Sequence, residues 1–301
     1  MPLVFADPVY VPPVVPPFDD TAFSIVSKLG ELPLVAGDGF GPFTLEAATT
    51  GLGLPPELLR VKQSPRGGGL FVDSRPGIRT GVLAFGIHGD EADMEDLERL
   101  LGRHLEASNA PALVATRGEQ THRLAFFRDG GGENARDRSP NYVSWRIGIQ
   151  AVDPFWVSDT PVTVGPVNVG GAQVGLLPDL AELPVSASSA FGSLEVTNPG
   201  DAPSPVNWTI KGPATEVTVT LNGRGFTLAE IEAGEVITVT KTPTAWLVRD
   251  QDNENRYSLL GPAPKFPSAP VGSSSAQVLA TGATADTSVT GFFRVLRKIV
   301  R

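Results

Sequence analysis

The amino-acid sequence predicts a mainly β protein of two domains: an N-terminal β domain with one α-helix, and a C-terminal antiparallel β-sandwich. The chain has 301 residues, about twice the size of a typical domain. Its 33 glycines and 28 prolines are spread along the chain and separate short runs rich in Val, Thr and Ile. Runs of β-branched residues between such turn formers are typical of many short strands.

Composition excludes several classes of protein. The chain has no cysteine, which rules out disulfides, thiolate zinc sites and cysteine nucleophiles. Its net charge of −9 argues against a tight nucleic-acid binder, because such proteins gain affinity by neutralising phosphates. No apolar run approaches the roughly 20 residues of a membrane-spanning helix, and the proline-broken start does not fit a signal peptide. We therefore expect a protein made in the cytosol, without a membrane partner.

The first predicted domain covers residues 1–156. Residues 1–20 are rich in proline and predict an extended, polyproline II-like arm. Asp90–Ala107 is the one convincing helix, because its large apolar residues recur every three or four positions and acidic residues crowd its first turns. The strands predicted around it are Leu70–Val72, Thr80–His88, Ala112–Ala115, His122–Arg128 and Tyr142–Val152.

A polar loop is predicted over Asp129–Pro140, with three glycines and five charged residues. It is too long for a tight turn, and long loops in compact domains commonly face partners. The aromatic residues that follow it have two interpretations, contact with a partner or packing in a core or domain interface. The candidate contacts with other subunits or partners are Arg128, Asp129, Glu133, Arg136, Arg138, Tyr142, Trp145, Phe155 and Trp156.

Residues 157–185 contain many prolines and glycines with little periodicity, and we predict a linker there. Residues 186–301 form the second predicted domain, in which strand-like runs return at intervals of about ten residues, as in a sandwich. Glu216–Leu221 alternates between polar and apolar residues, so one face of this strand should be buried. Asn222-Gly223 follows it and predicts a type I′ hairpin turn.

The sequence contains no recognisable catalytic or metal-binding motif. His88, His104 and His122 have no metal-ligand spacing. Asp250–Glu254 has the composition of a calcium loop but lacks its central glycine, which predicts a polar turn instead. Chance carboxylate pairs are expected among 33 acidic residues. We therefore expect neither an enzyme nor a cofactor.

The order and spacing of several segments resemble those of the distal tail proteins of siphophages, which are also called minor tail proteins. The resemblance covers about residues 60–300. It rests on the acidic helix Met94–Leu101, the terminal Asp153–Trp156, the pair Val196–Ala202 and Pro205–Gly212, and the later pair Gly234–Val239 and Ala245–Asp250.

The resemblance implies a belt-like N-terminal domain that forms a ring, expected to be a hexamer, and a galectin-like C-terminal sandwich. Such a ring joins the tail tube to the tail-tip hub or baseplate and leaves a lumen for DNA. The implied partners are further copies of the chain, the major tail tube protein, the tail-tip hub protein and the tape measure protein. The implied location is the tail tip of the virion, after assembly in the host cytoplasm.

An alternative function is a carbohydrate-binding sandwich that contacts the host cell wall. Trp208 and Trp246 are the candidates for stacking on sugar rings. Sugar-binding galectins carry a His-x-Asn-x-Arg pattern, and the second half of this chain has no histidine. The resemblance therefore does not imply sugar binding, which depends on the two tryptophans alone.

Overall fold

The computed structural model describes residues 21–34, 41–132, 138–139, 141–168 and 190–300. The predicted arm over residues 1–20 lies outside them. The helix is α1 (Met94–His104). The strands are β1 (Ala22–Ser27), β2 (Gly30–Leu34), β3 (Phe43–Leu45), β4 (Glu57–Gln63), β5 (Gly69–Pro76), β6 (Arg79–His88), β7 (Ala112–Arg117), β8 (Gln120–Ala125), β9 (Phe127–Gly131), β10 (Arg138–Ser139), β11 (Tyr142–Ala151), β12 (Trp156–Asn168), β13 (Ala190–Asn198), β14 (Ser204–Pro205), β15 (Asn207–Lys211), β16 (Ala214–Leu221), β17 (Arg224–Ile231), β18 (Val236–Lys241), β19 (Trp246–Arg249), β20 (Ser268–Ala269), β21 (Gly272–Thr281) and β22 (Ser288–Arg297). The predicted mainly β fold is confirmed.

The N-terminal half encloses its own hydrophobic core between two groups of antiparallel strands. One group is β8-β7-β1-β2, and the other is β10-β11-β6-β3 with β9 also paired to β11. The helix α1 contacts both β1 and β6. Its apolar stripe is buried as predicted at Met94, Leu101 and Leu105, because this face covers the core.

The C-terminal half is a sandwich of two antiparallel sheets. The strands β19-β18-β15-β22-β12 face β13-β21-β16-β17. In β16 the predicted alternation is confirmed, since Val217, Val219 and Leu221 are buried in the core between the sheets. Asn222 and Gly223 both have positive φ, at 51° and 69°, as a type I′ turn requires.

One continuous sheet runs through both halves of the molecule. The strand β12 pairs with β22 of the sandwich, and its Val157 and Ser158 pair with Arg123 and His122 of β8. This pairing produces a nine-stranded sheet in the order β19-β18-β15-β22-β12-β8-β7-β1-β2. The two cores therefore lie along a shared sheet.

The linker predicted for residues 157–185 begins with this strand. Its prolines and glycines suggested an irregular segment, yet residues 157–168 belong to β12. Register shifts against β22, between Val157 and Pro161 and again between Val164 and Val167, accommodate them. Residues 169–185 lie outside the described parts of the chain, and the division into domains stays a prediction.

The predicted polar loop is also partly structured. Its first residues belong to β9, which pairs with β11, and Arg138–Ser139 forms the short strand β10 on the same partner. Gly130, Gly131 and Gly132 all have positive φ, which glycine adopts without steric cost. Gly130 and Gly131 lie at the end of β9, at its register shift against β11, where the sequence analysis predicted one long loop.

Candidate functional site: an exposed hairpin

The strands β4 and β5 form an antiparallel hairpin that pairs with no other strand in the described parts of the chain. We name residues 57–76 the β4–β5 hairpin. Its turn is closed by hydrogen bonds from Ser64 N to Gly68 O and from Gly67 N to Ser64 O, both 3.0 Å. Gly67 and Gly68 have φ of 88° and 78°, which favours glycine at this turn. The hairpin is thus well formed locally but isolated from both cores.

Every residue of these two strands is exposed to solvent. An isolated two-stranded hairpin is only marginally stable in water, because it cannot bury an apolar face of its own. Six of its exposed residues are nevertheless large and hydrophobic, with Leu70 67% exposed and Phe71 60% exposed. The full set is Leu58, Leu59, Val61, Leu70, Phe71 and Val72. Such a concentration of exposed apolar side chains is typical of an interaction site.

The register of the hairpin separates a mostly apolar face, whose one charged residue is Glu57 opposite Pro76, from a face with four charged residues. Residues opposite each other in an antiparallel pair point to the same face. Leu59 lies opposite Ser74, and Val61 lies opposite Phe71. The other face holds the pairs Leu58–Arg75, Arg60–Asp73 and Lys62–Leu70. A register shift between Arg60 and Val61 leaves Val72 as the extra residue of a β-bulge.

The β4–β5 hairpin is basic within an acidic chain. It carries four basic and two acidic side chains, a net charge of +2, whereas the whole chain carries −9. The remaining residues therefore carry −11. The basic residues are Arg60, Lys62, Arg66 and Arg75, and the acidic residues are Glu57 and Asp73.

The sequence analysis found only Leu70–Val72 of this feature. Two apolar runs, Leu58–Val61 and Leu70–Val72, flank a proline- and glycine-containing segment, which is a hairpin signal. That signal could have identified the hairpin. Its exposure could not have been predicted, because an apolar strand is normally read as buried.

The residues predicted to contact partners near the polar loop differ in exposure and in their hydrogen bonds. Arg128 and Asp129 lie exposed on β9, and an oxygen of Asp129 accepts a hydrogen bond of 2.6 Å from the Gln150 side chain. On β11 the Tyr142 hydroxyl donates to a carboxylate oxygen of Glu46. Arg128 and Asp129 are therefore the members of this set that the surface makes available to a partner.

Two of the predicted contacts are core residues. Trp156 is 1% exposed and Trp145 is 9% exposed, and both pack in the N-terminal core. A buried indole cannot contact a neighbouring subunit, so the core-packing interpretation is the one that fits them. Phe155, beside Trp156, is half-buried.

The rest of the predicted set is only partly described. Glu133 and Arg136 lie outside the described residues. Arg138 is described by its backbone alone, which pairs with Val143 of β11. A partner role for the polar loop stays a prediction.

The two tryptophans proposed for sugar stacking are wholly or partly buried. Trp208 is fully buried in the sandwich core, so it cannot stack on a sugar. Trp246 is half-buried, and one face of its ring stacks on Phe266 with centroids 4.5 Å apart. The sequence-based interpretation of Trp208 as a sugar ligand is wrong, because the sandwich uses its large apolar ring as core.

Burial lowers the pKa values of two histidines, His104 and His122. Burial, with Arg103 nearby, lowers the pKa of His104, whose Nδ1 lies 3.0 Å from the Ser27 hydroxyl. Burial and Arg297 lower the pKa of His122, although Asp159 and Asp201 oppose this. Over the described ranges, no three His, Asp or Glu side chains are grouped so that they could hold a metal ion.

The predicted polar turn at Asp250–Glu254 is confirmed. Asp250 accepts hydrogen bonds from Asp252 N, Glu254 N and Arg256 Nε at 3.0, 2.8 and 2.9 Å. Burial alone would raise the pKa of this carboxyl, but these hydrogen bonds outweigh burial and lower the pKa.

In the described part of the chain, no helix has the length and apolar character needed to cross a bilayer.

Comparison with protein-family models finds no match, and comparison with curated protein sequences finds none either. Solved structures do match. The chain is similar to the SPP1 Dit (gp 19.1) protein, described as a paradigm of hub adsorption apparatus in phages that infect Gram-positive bacteria. The TM-score is 0.63 at 12% identity, over 91% of this chain and 98% of that one.

The phage P2 baseplate in its activated conformation provides two further matches. With Ca, a baseplate chain gives a TM-score of 0.54 at 10% identity, over 93% of this chain and 99% of that one. With Sr, the TM-score is 0.53 at 9% identity over the same shares. The resemblance predicted from the order of segments is thus confirmed at the level of the fold: this chain has the fold of phage distal tail and baseplate hub proteins.

Proposed function

We propose that this chain is a structural component of a phage tail tip, and that it works as a ring of identical subunits instead of as an enzyme. The observation that carries the proposal is the β4–β5 hairpin, whose apolar face is exposed in the single chain. A chain of this kind gains from association, since a neighbour would remove that face from water. The shared fold with the SPP1 Dit protein and the P2 baseplate supports a tail-tip location.

The finer proposal is a hexameric ring that joins the tail tube to the tip hub or baseplate. A hairpin that projects from one side of a subunit contacts a different surface on its neighbour, and such a head-to-tail interface closes into a ring when the rotation allows. Tube protein, hub protein and tape measure protein are the partners we propose. Assembly would take place in the host cytoplasm before the ring enters the virion.

We further propose that the ring encloses a lumen through which DNA passes without specific binding. The net charge of −9 supports this part of the proposal, because a surface of that sign repels phosphate and disfavours sticking. A basic lumen would instead hold the DNA in place.

The oligomeric state of the purified full-length chain tests the proposal. Mass photometry and negative-stain imaging at micromolar concentration should show closed rings, with a mass near six subunits. A strict monomer, both alone and after mixing with the tail tube protein of the same phage, would overturn it. Rings with a different number of subunits would support the proposed ring and contradict the proposed hexamer.

A further inference from the structure

The nine-stranded sheet passes from one half of the molecule to the other through a short stretch of pairing. The strand β8 pairs with β12 at two positions, Arg123 with Val157 and His122 with Ser158. We name these two residue pairs the β8–β12 seam. Every other ladder of this sheet is longer. Separating two neighbouring strands of the sheet therefore breaks the least backbone pairing at the seam.

The seam adjoins an irregular stretch of β12, whose register against β22 shifts after Val157. The guanidinium of Arg294 donates hydrogen bonds to the backbone oxygens of Ser158 and Asp159 in this stretch. The Arg123 side chain pairs with the Asp159 carboxylate at 2.5 Å. Charged side chains therefore support β12 at the point where its regular pairing with β22 is interrupted.

His122 lies in the seam with its imidazole buried. The residue is 7% exposed, and its buried Nδ1 has no hydrogen-bond partner among the described residues. From β7, the residue opposite it is Ala115. The charged groups that act on the imidazole come from the other elements around it: Arg297 of β22, Asp159 of β12 and Asp201 of the loop between β13 and β14. Burial and the arginine together outweigh the two carboxylates and lower the pKa of His122.

Both carboxylates near His122 already have arginine partners. Asp159 pairs with Arg123 at 2.5 Å. Asp201 pairs with Arg297 at 3.4 Å and also accepts a hydrogen bond from a backbone N–H. Protonation of the imidazole would therefore place a new buried charge beside Arg297, with an Nδ1–H that lacks an acceptor. The closed seam favours the neutral imidazole.

We propose that His122 is an acid-sensitive switch in the seam, and that its protonation favours separation of β8 from β12. Opening the seam exposes the imidazole to water, where its ordinary pKa of about 6.5 applies. Because the pKa of His122 is lowered in the closed seam, closure is fully stable above about pH 6.5 and weakens as the pH falls below that value. The switch is a property of the single chain and does not rest on the proposed ring.

Hydrogen–deuterium exchange of the full-length chain tests the switch. After correction for the pH dependence of chemical exchange, amides of β8 and of residues 156–160 should lose protection by roughly threefold to tenfold between about pH 7.5 and pH 5.5. One pH unit below an ordinary histidine pKa allows at most about a tenfold effect. Amides of β16, in the sandwich core, should keep their protection and provide the internal reference.

His122→Gln should abolish this loss of protection, because glutamine does not titrate. His104→Gln is the matched control, since it removes another buried histidine of the same half and should retain the loss. Arg297→Gln is a second variant, which keeps the test valid if His122→Gln does not fold. It removes the positive charge beside the imidazole and should reduce the loss.

Three results would overturn the switch. The first is a wild-type seam whose protection does not change with pH. The second is a loss in His122→Gln, or in Arg297→Gln, as large as that of the wild type, because another group would then be titrating. The third is an equal loss of protection in β16, because the whole chain would then be unfolding and the seam would not open by itself.

Discussion

The guanidinium of Arg79 donates a hydrogen bond of 2.8 Å to the backbone oxygen of Lys298, 219 residues later in the chain. Arg79 is 1% exposed and donates also to the carbonyl oxygens of Pro154, Gly51 and Gly53. All five of its N–H groups thus donate to backbone carbonyl oxygens, so the buried guanidinium needs no carboxylate as a partner. Its hydrogen bonds connect Lys298, which directly follows β22, to the N-terminal half of the molecule.

Substituting Arg79→Met should destabilise the chain by roughly 2–4 kcal/mol, because it leaves buried carbonyl oxygens without donors. Urea unfolding followed by tryptophan fluorescence measures the change. Arg224→Met, at an exposed position, is the control and should change the unfolding midpoint little. Equal midpoints for the two variants would show that the Arg79 hydrogen bonds contribute nothing to stability.

The two faces of the β4–β5 hairpin should differ in their effect on assembly. Val61→Thr with Phe71→Ser removes apolar area from the apolar face of the hairpin and should shift the chain toward monomer, since that face is the one we expect to be buried. The monomer's melting temperature should barely change, because both side chains are exposed. Mass photometry over a dilution series gives the shift.

The control for this pair is Leu58→Ser with Leu70→Ser, which removes apolar area from the charged face of the same hairpin. It should weaken association less. A larger effect from the control pair would mean that the opposite face is the buried one.

Trp208→Ala should cost about 3–5 kcal/mol of stability, because it leaves a cavity in the sandwich core. Chemical unfolding measures the loss, and Tyr257→Ala at a 47% exposed position is the control. A stable Trp208→Ala protein with altered glycan binding would instead revive the carbohydrate interpretation.

The turn at Asp250 should make a pH-dependent contribution to stability. The pKa of this carboxyl is lowered in the folded chain, so its contribution is fully present above the unfolded pKa of about 3.9. It is lost as the pH falls through the lower folded pKa. The difference in unfolding free energy between wild type and Asp250→Asn should therefore be largest near neutrality and shrink in acid. A difference that grows on acidification would show that the carboxylate is not stabilised in the fold.

The local sequence pattern was sufficient to predict several elements of the structure. The alternation of Glu216–Leu221, the turn at Asn222-Gly223 and the apolar stripe of α1 each depend on neighbours within a few residues. For such elements the sequence carries the whole signal, because periodicity and turn propensity are properties of short segments. The order of these elements was also enough to predict the fold resemblance that the solved structures confirm.

The chain's own sequence therefore determined its fold class, its local elements and its lack of thiol chemistry. Only the tertiary structure decided that β12 joins both cores, that Arg79 fastens them, that Trp156 and Trp208 are buried, and that the β4–β5 hairpin is exposed. These features depend on which distant segments meet. An apolar strand has the same local pattern whether its own chain covers it or a neighbouring copy must do so, so only the packed structure shows which of them remain uncovered.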